Sequence, residues 1–368
     1  MVKSIYIHIP FCDNICSYCD FCKIYYNKNY ADKYLETLKK ELELKYNDEI
    51  MDTIYIGGGT PSSLDYNQLE KLFKILSKIK KSKNYEYTIE CNPESMNLEK
   101  IKLFKKYGIN RVSIGVQTFD ENILKTLNRK HNKKQVINLI NNLNEEGIHN
   151  INIDMMFAIP KQTCDNLDND LKIISKLNIK HISYYSLILE EHTKLFIDKF
   201  KVFDEDLEFL MYNKICDYLK NIGYNHYEIS NFSKEKYQSI HNLNYWKNNN
   251  YIAIGLGAVS YINNTVYENT KSITEYIKEK YMKCSNNLSD YDIYINELML
   301  GLRLADGINK IDFKHKFGKD IEEIFNLKNE IDKKRLIDDG FNIFINPKYI
   351  YVSNDIITNI MMEGVVCE

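Results

Sequence analysis

Ser4-Ile5-Tyr6-Ile7-His8-Ile9-Pro10-Phe11-Cys12-Asp13-Asn14-Ile15-Cys16-Ser17-Tyr18-Cys19 is the stretch around which the rest of the chain can be read. Ile5, Ile7 and Ile9 alternate with other residues, so a strand is expected over 4–9. Pro10 and Phe11 close it, and three thiols follow at spacings of four and three. Structural zinc takes four protein ligands, usually as two separated pairs, and no second paired cysteine cluster lies downstream. Thiolate sets of this kind hold Fe–S clusters. Cys12, Cys16 and Cys19 are therefore candidate ligands of a [4Fe–4S] cluster with one iron left open to a non-protein ligand.

The bulk numbers exclude several classes. A chain of 368 residues is long enough for one barrel-sized domain and a smaller one. Hydrophobic content of 44% and charged content of 27% are those of an ordinary globular protein. Forty-nine Lys and Arg against 51 Asp and Glu give a formal net charge of -2, so no nucleic-acid or anionic-membrane partner is implied. Four of the nine cysteines crowd into residues 12 to 22, while Cys91, Cys164, Cys216, Cys284 and Cys367 stand singly. That is metal-site usage rather than a disulfide framework, and a reducing cytoplasm is expected. The chain starts directly into a strand with no apolar leader, and its longest apolar run, 251–262, is too short to span a bilayer.

Short β-branched runs recur at 4–9, 53–56, 86–90, 111–116, 150–156 and 181–187. Helix-period segments lie between or after them, at 30–46, 67–80, 98–107, 133–146, 167–177 and 204–222. Strand then helix, six times over, predicts a parallel α/β sheet curled into a barrel or part of one. The strand ends carry the unusual residues: Gly57-Gly58-Gly59-Thr60-Pro61, then Glu90-Cys91-Asn92-Pro93-Glu94, Gln117, and Asp154 with Pro160. In such a barrel, polar residues at the C-terminal strand ends mark the active site. Beyond residue 222 the pattern changes. A strand is expected over 224–229, then His241-Asn242-Leu243-Asn244-Tyr245-Trp246, then a buried strand or hairpin over 251–262. Helices are expected over 293–304, 311–317, 321–325 and 328–338, strands over 341–345 and 349–352, and a last helix over 355–362. This reads as 1–222 barrel, 223–290 connecting α+β segment and 291–368 winged-helix-like appendix. The appendix holds ten Lys and Arg against fourteen Asp and Glu, which argues against DNA binding.

The cysteine spacing and the glycine segment resemble the radical S-adenosylmethionine (SAM) superfamily. There the amino and carboxyl groups of SAM chelate the open iron, and glycine lets the backbone approach the cofactor. Tyr6-Ile7-His8-Ile9-Pro10-Phe11-Cys12, Tyr18-Cys19-Asp20-Phe21, Ile114-Gly115-Val116-Gln117-Thr118-Phe119 and the 241–246 motif look like the HemW-type heme chaperones. These are relatives of the oxygen-independent coproporphyrinogen III dehydrogenase (oxidase). The resemblance covers almost the whole chain and implies a partial (β/α)6 radical-SAM barrel with a C-terminal α+β winged-helix-like appendix. It implies SAM contacts at Tyr6, Tyr18, Gly59, Thr60, Glu90, Gln117, Arg129 and Asp154. Glu90 and Asp154 would accept from hydroxyls or the amino group, Gln117 would donate or accept, and Arg129 would pair with the carboxylate. A solvated helix-end arginine is the alternative for Arg129.

The same resemblance implies heme as cargo, passed to an acceptor protein of which a membrane-associated respiratory enzyme is one class, by a cytoplasmic monomer or homodimer. His241 is the candidate axial ligand on motif grounds, against a packing role for 241–246. No catalytic residue is assigned. The rival reading is radical oxidative decarboxylation of coproporphyrinogen III. That dehydrogenase carries a further Cys where this chain has Phe21, and a longer N-terminal arm, so the chaperone reading is preferred. A third reading, a cluster used only for redox or structure, is opposed by Gly59, Glu90, Gln117 and Asp154. Cys22 is either a spare buried thiol or an extra ligand. Val259 stands where relatives often carry His, and His8 is either a donor toward the cluster or substrate or a core histidine.

Overall fold

The computed structural model describes residues 2–201 and 203–363; Cys367 lies outside them. The six expected strands are β1 (Ser4–Ile9), β2 (Met51–Gly58), β3 (Lys81–Cys91), β4 (Arg111–Gln117), β5 (Asn150–Phe157) and β6 (His181–Ser186). They pair in chain order, all parallel, from Ile9 opposite Gly58 to Asn152 opposite His181. Helices Lys28–Lys45, Tyr66–Leu76, Leu98–Lys106, Lys133–Glu145, Cys164–Ile174 and Glu205–Asn221 follow the successive strands. Reciprocal side-chain caps begin three of them: Asp65 with Gln68, Asn132 with Gln135, and Thr163 with Asn166.

The sheet stays open, and the chain after residue 222 supplies both of its edges. An antiparallel hairpin, β7 (Asn225–Glu228) and β8 (Asn231–Ser233), extends it beyond β6, and β9 (Ile252–Ile254) lies parallel to β1. The strand order is β9-β1-β2-β3-β4-β5-β6-β8-β7. The expected element over 251–262 is thus two strands in two sheets. Val259–Ile262 begins a separate antiparallel sheet with Thr265–Asn269 and Met282–Asn287.

Period-two alternation sorts the barrel's side chains. Ile5, Ile7, Ile54, Ile56, Ile89, Val112, Ile114, Ile151, Ile153 and Ile182 are buried in one core with the helices. The intervening positions are polar and bond to one another inside the barrel: Tyr55 with Glu90, Ser113 with Asp154, Asn152 with His181. A short helix, Ile240–Trp246, sits against the N-terminal ends of these strands. Glu86 receives its Ile240 and His241 N–H groups at 3.0 and 3.1 Å, and Arg111 lies 4.0 Å from the same carboxylate.

The C-terminal part has its own core around Leu298, Leu302, Phe313, Ile321, Phe325, Ile343, Ile356 and Ile360. Two expectations there are corrected. The segment 328–338 is not one helix: Lys328–Asp332 ends where Lys334 takes φ 58°, and Leu336–Asp338 becomes a strand. Arg335 folds back there to pair with buried Glu330. Residues 349–352 belong to a 3-10 helix, Pro347–Val352, instead of a strand. Asn346 caps it and Pro347 starts it, since proline's fixed φ suits a first helical turn. The three-stranded sheet is therefore Ile308–Asn309, Asn342–Ile345 and Leu336–Asp338. Among the described residues no helix is long and apolar enough to cross a membrane.

Removing Glu86 strands a buried guanidinium and two helix N–H groups. Glu86→Ala is expected to lower the unfolding free energy by about 3 kcal/mol, as read by urea denaturation.

Candidate cofactor site

The cysteine loop is held from three sides. Its two ends meet in a parallel clip, Phe11–Cys12 against Ile24–Tyr25, in which Ile24 donates to the Pro10 carbonyl and Tyr26 to that of Cys12. Ser17 donates through its backbone to Leu127 and through its hydroxyl to Thr126, at the end of helix Glu121–Thr126. Ser17 also accepts from Leu195 N–H. So fixed, Cys12, Cys16 and Cys19 border one cavity of about 490 Å³ at the C-terminal mouth of the barrel.

Seven of the eight expected SAM contacts line that same cavity: Tyr18, Gly59, Thr60, Glu90, Gln117, Arg129 and Asp154. Tyr6 does not. Its ring lies behind Tyr55, with centroids 6.0 Å apart, and its hydroxyl meets His8 Nδ1 at 3.1 Å. Each lining residue is placed by a specific constraint. A Cβ on Gly59 would stand 2.7 Å from the Pro10 backbone and 3.0 Å from Cys12 Sγ; one on Gly58, at φ +117°, would enter the His8 ring. Thr60 donates to Cys12 Sγ at 3.4 Å. Gln117 has φ 68° at an irregularity in the β4–β5 pairing, a strained conformation of the kind that turns a side chain toward a functional site.

Arg129 is buried, which excludes the solvated-surface alternative. It reaches Cys16 Sγ at 3.4 Å, Asn92 Oδ1 at 2.9 Å and the Gly115 carbonyl, while its Nε is buried without a partner. Glu90 accepts from Tyr55 Oη at 2.8 Å and Gly58 N–H at 3.1 Å. Burial, reinforced by the nearby Asp154 charge, raises its carboxyl to about 7. Asp154 accepts from Ser113 Oγ at 2.9 Å and Asn152 Nδ2 at 2.8 Å, and burial raises its pKa too. Asn92, Tyr55, Ser113 and Asn152 were not singled out in the sequence as site residues. The available signal was period two: Ser113 precedes Gly115 and Gln117 on the inner face of β4, as Asn152 precedes Asp154 on β5.

These residues fit a cluster better than a single ion. Among the described residues no three His, Cys, Asp or Glu side chains gather where one metal ion could be held. Three thiols spread around a cavity suit a cluster, in which each thiolate binds a different iron. Burial pushes the Cys12 thiol up to about 12 and raises Cys19, so a bound metal is what would deprotonate them. Cys22 stays outside the cavity, close against Gly257.

For each histidine the geometry favours the packing alternative. His241 is 1% exposed, with Nδ1 2.7 Å from Thr53 Oγ1 and Nε2 2.8 Å from Tyr245 Oη, and its ring stacks on Tyr55. Burial lowers it to about 3. Both nitrogens are engaged, so His241 packs the barrel and has no lone pair free for iron. His8 is likewise a core histidine, bonded to Tyr6 and to the Cys22 carbonyl at 2.7 Å.

Two outcomes follow. Gly59→Ala is expected to lower iron content after anaerobic reconstitution, because its Cβ competes with Cys12 for space. For Glu90 the folded pKa of about 7 lies above the ordinary 4.5, so the native state holds the extra proton and loses stability as pH rises between those values. Asp170 and Glu228 are raised in the same direction, so the measurement is a difference: Glu90→Gln should gain stability relative to wild type as pH rises through that window, by thermal denaturation.

The comparisons agree with this geometry. Residues 6–174 match the Radical SAM superfamily model and 288–353 the HemN C-terminal domain. Heme chaperone HemW of Lactococcus lactis is 35% identical over 99% of this chain and 98% of its own length. Heme chaperone HemW of Bacillus subtilis is 36% identical over 88% and 89%, and that of Escherichia coli 30% over 84% and 85%. Coproporphyrinogen III oxidase (HemN) from Escherichia coli, a radical SAM enzyme, shares the fold with a TM-score of 0.83 over 97% of this chain and 89% of its own, at 21% identity. With a cavity built from its own cysteine loop and strand ends, and relatives 30–36% identical over 84–99% of its length, the chain belongs to the HemW heme chaperone family of radical SAM proteins.

Proposed function

We propose that Cys12, Cys16 and Cys19 hold a [4Fe–4S] cluster, that SAM caps its open iron, and that the protein binds heme for transfer to an acceptor protein. The observation that carries this is the gathering of three thiols, the Gly59 cradle, Glu90, Gln117, Arg129 and Asp154 around one cavity. When bound, the cluster supplies a redox-active iron site with one exchangeable position. Arg129 lines the cavity, and its fixed guanidinium, with an Nε that has no partner, suits the methionine carboxylate of SAM. Glu90 and Asp154 suit its amino group or ribose hydroxyls, and Gln117 can serve either as donor or acceptor.

Heme enters this reading through the family, and one feature of the surface supports it. Phe21 and Ile188 both line the cavity, yet each is 70% exposed. Large apolar side chains so exposed at a cofactor site suit a flat, apolar ligand held at the mouth and later released. The expected acceptor remains a membrane-associated respiratory enzyme or a protein like it, met by a cytoplasmic monomer or homodimer.

The test adds heme, and in a separate arm coproporphyrinogen III with dithionite and SAM, to the reconstituted protein. A shift of the heme spectrum without protoporphyrinogen formation is expected; turnover to protoporphyrinogen would replace the chaperone by the dehydrogenase. Changing all three cysteines to Ala should abolish the absorbance near roughly 400 nm, and unchanged iron content would sink the cluster. His241→Ala should lower stability by about 2 kcal/mol and keep the heme shift, since both ring nitrogens serve the fold.

A further inference from the structure

A hydrogen-bonded chain leaves Asp154 away from the cavity and crosses the barrel to the helix Ile240–Trp246. Asn152 Nδ2 donates to Asp154 Oδ1 at 2.8 Å and to Ser113 Oγ at 2.7 Å. Asn152 Oδ1 lies 2.6 Å from His181 Nδ1, and His181 Nε2 lies 2.7 Å from Tyr227 Oη. Tyr227 Oη in turn accepts from Ser239 N–H at 3.2 Å. Ser239 is the N-cap of Ile240–Trp246 and accepts from Asn242 N–H.

The two ends of the chain together fix the direction of its bonds. A backbone N–H can only donate, so Tyr227 Oη accepts from Ser239 and keeps its own proton free to donate. Asn152, whose NH2 goes to the Asp154 carboxylate, presents to His181 Nδ1 an oxygen that can only accept, so that Nε2 is the nitrogen that accepts from Tyr227. An Nε2 that accepts is bare, which places the imidazole proton on Nδ1, toward Asn152 Oδ1. The Asn152 amide is thereby oriented with its NH2 toward Asp154. Ser113 Oγ donates to the other carboxylate oxygen at 2.9 Å. Asp154 then faces the cavity as an acceptor on both oxygens. The opposite imidazole tautomer would point an N–H at Tyr227 and a bare nitrogen at a carbonyl oxygen. His181 is fully buried, and burial holds it well below the usual histidine range, so it stays neutral.

We infer that Tyr227 and His181 are positioning residues that set the polarity of Asp154, so that the Ile240–Trp246 helix governs the affinity for SAM without touching it. This rests on the reading of Asp154 as a SAM contact. For residues that hold a metal, removing the partner that fixes tautomer and orientation typically costs about 10- to 100-fold in affinity, and Tyr227 and His181 hold Asp154 in the same way.

The experiment uses the full chain. In protein labelled with 15N-histidine, long-range 15N–1H NMR should show His181 as a neutral Nδ1–H tautomer from about pH 5 to about pH 8. His181→Asn identifies the signal. An Nε2–H tautomer, or a ring that titrates in that range, overturns the relay. Tyr227→Phe keeps the ring and removes the hydroxyl. In cluster-reconstituted protein it should raise the SAM dissociation constant about 10-fold in equilibrium dialysis, shift His181 to a mixed tautomer, and melt within about 5 °C of wild type. Unchanged SAM affinity overturns the inference, as does a loss of affinity with the tautomer intact. Wild-type protein that takes up no SAM would instead overturn the cofactor reading, and the tautomer arm, which needs no cofactor, would still decide the relay.

Discussion

A parallel barrel that turns Tyr6, Glu86, Glu90, Arg111, Asn152, Asp154 and His181 inward must satisfy most of their polar atoms from its own side chains. Most of the structure answers to that constraint. An unpaired buried polar group costs about 1–3 kcal/mol and a buried charge more, so the lumen is a network: Tyr55 to Glu90, Ser113 and Asn152 to Asp154, His181 to Asn152 and Tyr227. At one mouth the network ends in the cofactor cavity. At the other, Ile240–Trp246 closes it with two backbone N–H groups on Glu86 and an imidazole on Thr53.

The two mouths therefore have different chemistry from one alternation. At the C-terminal mouth the acceptors Glu90 and Asp154 border the cavity opposite a buried arginine, with Gly59, just after β2, leaving space beside Cys12. At the N-terminal mouth every ring nitrogen and carboxylate oxygen named is spent on the protein itself. The His241 motif, which in the sequence is as conspicuous as the cysteine loop, belongs to this closed end.

Much of this was legible before any coordinates. Six β-branched runs with amphipathic segments after them specify a parallel α/β sheet, because the two periods, 2 and 3.6, select different backbones. The polar strand ends announced Glu90, Gln117 and Asp154, and spacing alone grouped Cys12, Cys16 and Cys19. Less legible were short elements whose state depends on a single distant or capping contact. Arg335 folding back on Glu330 accompanies the break in a helix that periodicity would have continued to Asp338, and Pro347 under an Asn346 cap starts a turn where β-branched residues suggested a strand.

What the chain alone determined, then, was the barrel, the grouping of the three cysteines and the polar strand ends around them, all of which follow from local period and spacing. Tertiary structure decided which polar groups remain available. Tyr6 and His241 read from the motif as ligand contacts, yet burial and two hydrogen bonds on His241 commit it to packing, and Tyr6 stands behind Tyr55. Arg129 had a surface residue as its alternative reading, until its neighbours Cys16, Asn92 and Gly115 enclosed it. Sequence period tells which way a side chain points; only the partners brought from other strands tell whether its hydrogen-bonding capacity is already used.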